Sequence, residues 1–375
     1  MSGFKEGLED VVVSTSEICF IDGREGSLLY RGYDVDDLVQ HSSFEEVVYL
    51  LWHGALPSRK ELEVHTKALT ATATRRLPPK LVTMLRQLPR KTTPMEVLRT
   101  GVSALSAFDP DAGDNSRDAT VRKAIRITAQ LPTLVAAWER LRGGKAPVAP
   151  NPRLNLAANF LYMLSGKKPS DLAAKTFDVA LILHADHEFN ASTFAARVTA
   201  ATLSDLHSAI VSGIGALKGP LHGGANEQVM RVVEQIRAPD RADAWIRKAL
   251  ADKVRIMCFG HRVYLVEDPR AKHLRRLATE LGRQAGQPHY VEILNIVARV
   301  VSEDKKIYPN VDLYSSAAYA AMGIPTDQFT PIFAMSRVVG WAAHVLEQHA
   351  HNRLIRPRAE YTGPARQAYV PLDRR

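Results

Sequence analysis

Apolar residues recur with a helical period along most of this chain, and short proline- or glycine-rich runs interrupt them. One apolar face, at spacing i, i+3, i+4 and i+7, consists of Val229, Val232, Val233 and Ile236. The interrupting runs include LPSRKE, LPPK, KTTP, FDPDAGD and GGKAPVAPNP. Proline removes a backbone donor and glycine tolerates the left-handed conformation that ends a helix, so both punctuate helices. The pattern predicts a mainly α-helical protein with little sheet.

One early segment departs from this pattern. SEICFIDGREGSLLYRGYDVDDL begins at Ser16, and two short strand-like runs in it flank a turn from Asp22 to Gly26. This arrangement is typical of a β-hairpin, and a helix should follow it. Caps and prolines predict six later helices. Three have predicted ranges: 172–189, 190–212 with Asn190 and Ser192 as caps, and 310–322. The others begin at Asn226, at Asp268-Pro269 and at Thr330-Pro331, and the last of these ends at about His351.

The composition is that of an ordinary soluble globular protein, with 46% hydrophobic and 24% charged residues. No run approaches the ~18 apolar residues of a membrane span, and the start, MSGFKEGLED, lacks the apolar core of a signal peptide. The two cysteines, Cys19 and Cys258, are far apart, which argues against a disulfide framework or a cysteine-rich zinc site. We therefore expect a cytoplasmic protein that does not associate with membranes.

Part of the net charge of +9 lies in a segment without acidic residues, between Lys67 and Pro94. Its cations are Arg75, Arg76, Lys80, Arg86, Arg90 and Lys91. Such a segment is most often a solvated face, but it can also bind nucleic acid, a membrane surface or a small polyanion. No zinc finger or RNP motif accompanies it, so a basic nucleic-acid-binding helical protein is kept only as a remote alternative.

The stretch LKGPLHGGANE, residues 217–227, places His222 in a glycine-rich turn just before a helix. In a chain of 375 residues this break is the best candidate for a hinge or a domain boundary. The dipole at a helix N-terminus disfavours imidazolium, so a neutral ring is expected. A neutral imidazole can donate a hydrogen bond to a developing enolate oxygen, although an ordinary surface loop accounts for the histidine equally well.

Two further segments place charged or titratable residues at unusual positions. His261 lies among apolar residues in MCFGHRVY, where a satisfied core histidine is the common explanation. Arg270 follows in EDPR, on the first turn of a helix, where the helix dipole disfavours a cation. An anionic ligand would explain that position, and a surface ion pair with Asp268 is the alternative.

Two later residues fit the same kind of site. Asp312 lies at the start of an alanine-rich helix in YPNVDLYSSAAY, so it either caps the helix or complements its dipole, or it is a base in a dry cleft. Arg337 interrupts an apolar helix face, and a buried arginine needs an anion, from the protein or from a carboxylate substrate. With the histidines, these residues predict a site for an anionic carbonyl compound and an enolisable partner.

A metal site is the other possibility in this chain. HADHEFNAS offers His184 and His187 at i, i+3, and two such histidines can bind a metal. Zincins place their histidines at i, i+4 with a glutamate between them, and this segment does not. A zinc hydrolase is therefore a weak alternative, and no metal is expected.

Three of these segments resemble the catalytic segments of citrate synthases in their short bacterial form: GPLHGGANE, GHRVY followed by DPR, and PNVD followed by YS. Four others are similar to that family, namely IDGREGSLLYRGYD, HADHEFNASTF, FTPIFAMSRVVGWAAHVLEQ and RLIRPRAEY. All occur in order from about residue 18 to residue 361. The resemblance implies a citrate-synthase-like multi-helix fold with a short N-terminal β-hairpin. It also implies a large domain, 1–223 and 326–375, and a small domain, 224–325, that closes over the substrates.

The resemblance further implies that oxaloacetate condenses with acetyl-CoA and water to give citrate and CoA. By position, Asp312 would take a methyl proton from the thioester, His222 would hold the enol oxygen, and His261 would hydrogen-bond and protonate the oxaloacetate carbonyl. Hydrolysis of citryl-CoA would follow in the same cleft. No cofactor would be bound permanently, because acetyl-CoA is a co-substrate.

The substrate contacts of the family also match positions in this chain. The oxaloacetate ligands would be His187, Arg270, Arg337 and Arg356, the last donated by the partner subunit of a homodimer. The CoA contacts would be Asn310, Gly260 and Arg262.

Three positions depart from the family pattern. Cys258 and Ser316 stand where glycine is common, and Leu265 stands where a basic residue often follows RVY. Cys258 and Leu265 fall near the expected CoA path, so they bear on CoA affinity and acyl preference. The nearest alternative is 2-methylcitrate synthase, which uses propionyl-CoA and shares every motif quoted. One methylene in an apolar pocket is worth only ~1–3 kcal/mol of discrimination.

Overall fold

The computed structural model describes residues 5–9, 11–260 and 263–375. Over those residues the chain is mainly α-helical, as predicted. The helices are α1 (Val35–His41), α2 (Phe44–His53), α3 (Arg59–Thr70), α4 (Thr72–Arg75), α5 (Pro79–Gln87), α6 (Pro94–Leu105), α7 (Arg117–Arg142), α8 (Leu156–Ser165), α9 (Asp171–His184), α10 (Ala191–Ala200), α11 (Leu206–Leu217), α12 (Ala225–Ile236), α13 (Pro239–Ala251), α14 (Ala271–Gln284), α15 (His289–Lys305), α16 (Val311–Ala321) and α17 (Phe329–Ala350). Short 3-10 helices lie at Glu6–Leu8, Ser106–Phe108, Thr326–Gln328 and Leu372–Arg374.

The predicted hairpin forms near the N-terminus and gains a third short strand. β1 (Cys19–Asp22) pairs antiparallel with β2 (Ser27–Tyr30), which in turn pairs antiparallel with β3 (Tyr33–Asp34). The Asp22 carboxylate fixes the first turn, because its Oδ1 accepts hydrogen bonds from two backbone amides of that turn at 2.9 and 3.0 Å. This is the local reason why an aspartate at that position signals a turn.

Helix α17 is the centre of the packing. Its residues 329–345 are all buried, and it contacts α2, α6, α7, α9, α10, α11 and α12. By length and composition the segment Thr326–Ala350 could cross a membrane, contrary to the expectation from the sequence. The whole of its apolar window is buried inside the protein, however, and a predominantly apolar helix is what a central core position requires.

The helices around HADHEFNAS differ in extent from the prediction. α9 ends at His184 instead of near residue 189. Asn190 does cap the next helix, since its side chain accepts from the amide of Thr193, but that helix ends at Ala200. A separate helix, α11, follows with Asp205 as its cap. A single helix to residue 212 is therefore wrong, because the helical period continues across the short break.

Two predicted helix starts are also displaced. Asn226 lies inside α12, whose first residue precedes it, so it is not the cap. Asp268 accepts from the backbone amide of Arg270 at 3.0 Å through Oδ1, as a cap does, yet α14 begins three residues after it. Helix α17 begins one residue before the predicted Thr330.

The basic segment between residues 67 and 94 is solvated only in part. Arg75 is fully buried, and its guanidinium donates to the backbone oxygens of Leu69, Asn151 and Leu154 at 2.9–3.2 Å. Burial lowers the pKa of Arg75 to about 10. The expectation of a solvated face is wrong for this residue, whereas the other five cations of the segment are exposed.

Helices α12 to α16 occupy the predicted small domain, 224–325. Within it, α14 and α12 both pack on α16, and α13 packs on α15. One contact to the predicted large domain is made by Asp36 of α1, whose carboxylate pairs with Lys272 and His273 of α14. The division into two domains stays a prediction.

Candidate active site

His222 lies in the turn between α11 and α12, and the glycine after it is required by packing. The amide of His222 donates to Gly219 O at 2.9 Å, and the amide of Gly223 donates to Leu217 O at 3.0 Å. A Cβ at Gly223 would lie 2.6 Å from that same Leu217 oxygen, closer than two such atoms can approach. Glycine is therefore needed at 223 for close approach of backbone to backbone.

Ser192, in the first turn of α10, holds the ring of His222. Its backbone N–H donates to Nε2 of His222 at 3.3 Å, and its Oγ lies 2.8 Å from the same nitrogen. The Oγ also accepts from Nε1 of Trp341 at 3.2 Å and lies 2.8 Å from Oδ1 of Asn190, so its single proton can be donated either to that oxygen or to Nε2 of His222. Because Nε2 accepts a backbone hydrogen bond, we assign the proton of the neutral ring to Nδ1, which is left to donate to a ligand.

The environment of His222 keeps its ring neutral at physiological pH. Burial lowers the pKa of His222 to about 4, the Arg337 guanidinium acts in the same direction, and the Asp312 carboxylate partly opposes both. A neutral ring agrees with the expectation from the sequence, and desolvation is the largest cause. The same interactions place His222, Arg337 and Asp312 within electrostatic reach of one another.

Asp312 lies in the first turn of α16 but does not cap that helix. The cap is Asn310, whose Oδ1 accepts from the backbone amide of Asp312 at 3.1 Å. The Asp312 side chain is 13% exposed and is left for another role. The capping alternative is therefore wrong for Asp312, whereas its position in the first turn still complements the helix dipole.

His184 faces Asp312 from the last turn of α9. Its Nε2 lies 3.5 Å from Oδ1 of Asp312, and its Nδ1 lies 2.7 Å from the backbone oxygen of Ala180. With Nδ1–H donating to that carbonyl, a neutral ring would turn Nε2, an acceptor, toward a second acceptor. Both atoms are buried and have no other hydrogen-bond partner among the described residues. The pair is therefore a close buried contact between His184 and the carboxylate of Asp312.

Arg270 forms a buried ion pair with Asp268, so the alternative of a surface pair is wrong. Nε and Nη2 of Arg270 donate to the two carboxylate oxygens at 2.9 and 2.7 Å. Oδ2 of Asp268 also accepts from the amide of Val311 at 3.2 Å, which joins the pair to the start of α16. Burial disfavours the charged guanidinium of Arg270 and lowers its pKa. The carboxylate of Asp268 has the opposite and larger effect, so the pKa of Arg270 lies above its usual range.

Arg270 and Arg337 both reach the C-terminal end of α9. Nη1 of Arg270 donates to Leu183 O at 3.4 Å, and Nε of Arg337 donates to His184 O at 2.8 Å. The carbonyls at a helix C-terminus carry partial negative charge, which suits guanidinium groups. Burial lowers the pKa of Arg337 and the charge of Arg270 acts in the same direction, so an anion between the two arginines would stabilise both.

Phe333 of α17 contacts three of these groups. Its ring centroid lies 4.9 Å from that of His184, 6.2 Å from that of His222 and 4.8 Å from Cζ of Arg337. Sequence reasoning missed Phe333, because an aromatic residue in an apolar helix carries no functional signal. It also took Ser192 only for a cap, although that residue lies in the quoted segment HADHEFNASTF.

The family model "Citrate synthase, C-terminal domain" matches residues 7–358 of this chain. The chain belongs to the citrate synthase family. Citrate synthase of Haloferax volcanii is 49% identical over 381 residues, which covers 100% of each protein. A 2-methylcitrate synthase of Mycobacterium tuberculosis is 44% identical over 359 residues, 96% of this chain and 90% of that protein.

A solved citrate synthase has the same fold. The ternary complex of carboxymethyl coenzyme A and oxaloacetate with citrate synthase from Thermoplasma acidophilum has a TM-score of 0.92 against this chain. Sequence identity is 34%, and the similarity covers 99% of each chain. The expectation of a citrate-synthase-like, mainly α-helical fold is confirmed.

Two of the predicted CoA contacts of this citrate synthase family member lie side by side. The amide of Asn310 donates to Cys258 O at 3.0 Å, and Nδ2 of Asn310 donates to Gly260 O at 3.5 Å. Gly260 and Cys258 have φ of +74° and +65°, and the second is unfavourable for a residue with a Cβ. His261 and Arg262 lie outside the described residues, so their roles stay predictions.

The other two departures from the citrate synthase pattern differ in burial. Leu265 is 69% exposed, whereas Ser316 is fully buried and satisfied, since its Oγ donates to Leu313 O at 2.6 Å. The amide of Leu265 donates to Gly23 O at 2.8 Å. A Cβ at Gly23 would lie 2.0 Å from Val263 O, so the hairpin turn packs tightly on the segment that follows His261 and Arg262 in sequence.

The remaining predicted citrate synthase ligands are in different surroundings. His187 is buried and packs on Tyr264 with ring centroids 5.6 Å apart. Arg356 lies in the exposed segment that follows α17 and forms no hydrogen bond or ion pair with the site groups among the described residues. The described part of the chain contains no group of three or more His, Cys, Asp or Glu residues placed to hold a metal ion.

Proposed function

We propose that this protein condenses oxaloacetate with acetyl-CoA and water to give citrate and CoA, the entry step of the tricarboxylic acid cycle. It would act as an acyltransferase that converts the acyl group into an alkyl group on transfer, with acetyl-CoA as co-substrate and no permanently bound cofactor. The observation that carries the proposal is the meeting, at one place, of a neutral His222 ring with a free Nδ1–H, the Asp312 carboxylate and two buried arginines. Membership of the citrate synthase family supports the same reaction.

The first step is removal of a proton from the methyl carbon of acetyl-CoA by the Asp312 carboxylate. The C–H electron pair becomes the carbon–carbon double bond of the enol, and the thioester oxygen gains negative charge. Nδ1–H of His222 donates a hydrogen bond to that oxygen, and a neutral donor can do so without neutralising the enolate. Ser192 supports this role, since it occupies Nε2 and fixes the ring orientation.

The second step joins the enol carbon to the ketone carbon of oxaloacetate. By family resemblance His261 protonates the ketone oxygen as the new bond forms, which gives citryl-CoA. Arg270, Arg337 and His187 would hold the oxaloacetate carboxylates, and the position of both arginines at the end of α9 supports this role. Attack of water on the thioester carbonyl then releases CoA.

A homodimer with shared sites completes the proposal. Arg356 would reach the site of the partner subunit as a fourth oxaloacetate ligand. In a single chain the segment after α17 exposes several large apolar side chains, which favours its burial against another copy. These side chains are Leu354, Tyr361, Tyr369 and Leu372.

A 2-methylcitrate synthase is the second candidate, because the Mycobacterium tuberculosis relative with that name is 44% identical to this chain. Release of free CoA thiol should be followed from acetyl-CoA and from propionyl-CoA, each with and without oxaloacetate. We expect oxaloacetate-dependent release with a higher kcat/KM for acetyl-CoA. A higher kcat/KM for propionyl-CoA would assign the second candidate, and release independent of oxaloacetate would reject both.

A further inference from the structure

A second cleft lies at the ends of α9 and α16 that are remote from His184 and Asp312. Its volume is about 590 Å³, within the range of cavities that bind organic ligands. One side is formed by the end of α7 and by α8, α9 and the loop between them, and the other by the C-terminal ends of α14 and α16. We call it the basic cleft, after the four cations in its lining, Arg140, Lys145, Lys167 and Lys168.

The charge of the basic cleft is not compensated by the protein. Its four cations form no ion pair with any residue that the structure describes. The lining carboxylate of Glu139 is already engaged, since it pairs with Arg142 at 2.5 Å and accepts from Nε2 of Gln328 at 2.6 Å. By contrast, Arg126 of the same helix α7 is paired with Asp109 at 2.6 Å. An unpaired cluster of this size favours an anionic ligand.

Arg140 is held in place beneath the loop that carries Lys167 and Lys168. Its Nε donates to Ala146 O at 2.6 Å, and its Nη1 donates to Leu164 O at 3.5 Å. The same Nη1 lies 3.6 Å from the Cβ position of Gly166, so the loop passes directly over the guanidinium. A positioned guanidinium suits phosphate, sulfonate or carboxylate oxygens, because its donors have a fixed geometry.

The opposite wall of the basic cleft is apolar. It includes Leu281 near the end of α14, which is buried, and Met322 at the end of α16, which packs on the hydrophobic core. A lone inorganic ion would leave this wall and most of the volume unused. The combination therefore selects an apolar or aromatic body that carries two or more anionic groups.

Two helices connect the basic cleft with the active-site residues. α9 lines the cleft with Ala173 in its first turn and carries His184 in its last. α16 runs the other way, with Asp312 in its first turn and Met322 at its end. Helices of 14 and 11 residues span roughly 15–20 Å at 1.5 Å per residue. The contact between His184 and Asp312 joins the ends of α9 and α16 that are remote from the basic cleft. An occupant of the cleft that shifts either helix therefore changes this contact.

We propose that the basic cleft binds an organic polyanion and that its occupancy is coupled through α9 and α16 to the active site. This goes beyond the proposed condensation, and its first test does not use turnover. The probe is pyranine, a flat aromatic trisulfonate, with binding followed by fluorescence anisotropy. The Lys167→Gln/Lys168→Gln double variant should bind pyranine about tenfold more weakly, because it removes two charge-assisted contacts.

The matched control is Lys80→Gln/Lys91→Gln, which removes the same charge from exposed positions outside the cleft and should change pyranine affinity less than about twofold. Saturating oxaloacetate should change pyranine affinity about fivefold in the unmodified protein, within the usual range of allosteric coupling, without abolishing binding. Equal losses in the two double variants would overturn the proposal, as would complete displacement of pyranine by oxaloacetate. An affinity unaffected by oxaloacetate would overturn the coupling.

Discussion

Nε2 of His184 lies 3.5 Å from Oδ1 of Asp312, and the Nδ1 of the same ring is held by the backbone oxygen of Ala180 at 2.7 Å. The imidazole therefore cannot rotate away from the carboxylate without breaking a buried hydrogen bond. A carboxylate fixed in this way keeps one oxygen engaged and leaves the other to meet a substrate. We infer that His184 is a positioning residue for Asp312.

The role of Asp312 is tested by Asp312→Asn. Since Asn310 and not Asp312 caps α16, the change leaves the cap intact and removes only the proton acceptor. Turnover should fall by about 10²–10⁴-fold, as is typical for loss of a general base, with oxaloacetate binding and unfolding free energy little changed. Exchange of the acetyl-CoA methyl protons with deuterated water, measured with an unreactive oxaloacetate analogue, should stop. A variant that keeps more than about a tenth of wild-type turnover would contradict the assignment of Asp312 as the general base.

The role of His184 is tested by His184→Leu, which removes the ring nitrogens but keeps an apolar side chain. We expect kcat to fall about 5- to 150-fold, because loss of a buried polar partner costs about 1–3 kcal/mol. The kcat of His184→Gln should fall less, since the glutamine amide can still donate a hydrogen bond to Asp312. If His184 acts only through the carboxylate of Asp312, adding His184→Leu to the Asp312→Asn variant should have almost no further effect on kcat.

The control for this cycle is His65→Leu, which changes a buried histidine in α3. It should leave kcat within about twofold of wild type, because the ring contacts of His65 among the described residues are with Tyr49, Trp52 and His53 and not with Asp312 or His184. Full additivity of His184→Leu and Asp312→Asn would contradict the positioning role and make His184 a general packing residue.

The protonation of His222 is tested by nitrogen-15 NMR of the imidazole, with His222→Gln for assignment. The ring should titrate near pH 4, below the ordinary value of 6.5, and carry its proton on Nδ1 at pH 7. Because the folded state holds this proton less tightly than the unfolded state, the contribution of the ring to stability is complete above about pH 6.5 and is lost as the pH falls toward 4. A midpoint above pH 6, or a proton on Nε2, would contradict the assigned donor.

The strain at Cys258 is tested by comparing Cys258→Gly with Cys258→Ala. Both remove the thiol, but only glycine relieves the φ of +65°. Glycine is normally the less stable choice, yet here we expect it to be about 1 kcal/mol more stable than alanine by denaturant unfolding, since the left-handed region costs other residues about 1–2 kcal/mol. If alanine proves equal or more stable, the backbone at this position is not under strain.

The shared site is tested by mixing Arg356→Ala subunits with Asp312→Ala subunits, each nearly inactive alone. In a mixed dimer one site would carry both lesions and the other neither. An equal mixture should recover about a quarter of wild-type specific activity, because half of the dimers are mixed and each has one intact site. Mass spectrometry should verify subunit exchange, and no recovery after verified exchange would count against a residue donated in trans.

Local features of the fold could be predicted from the sequence because they depend on neighbours along the chain. The hairpin turn follows from Asp22, whose carboxylate bonds to amides two and three residues later. The caps Asn190 and Asn310 act over the same short range. The break between α10 and α11 was not predictable, since the apolar pattern continues across it and only Asp205 marks the new start.

The surroundings of the candidate site were decided by tertiary structure. His184 and Asp312 are far apart in sequence, as are Ser192 and His222, and packing brings each pair together. Burial likewise turned the Asp268–Arg270 pair from an expected surface feature into an internal one. The sequence by itself thus determined which residue types are available and the helices that carry them. Only the packed chain fixes distances, solvent exclusion and proton positions, because these depend on contacts between segments that the order of residues does not encode locally.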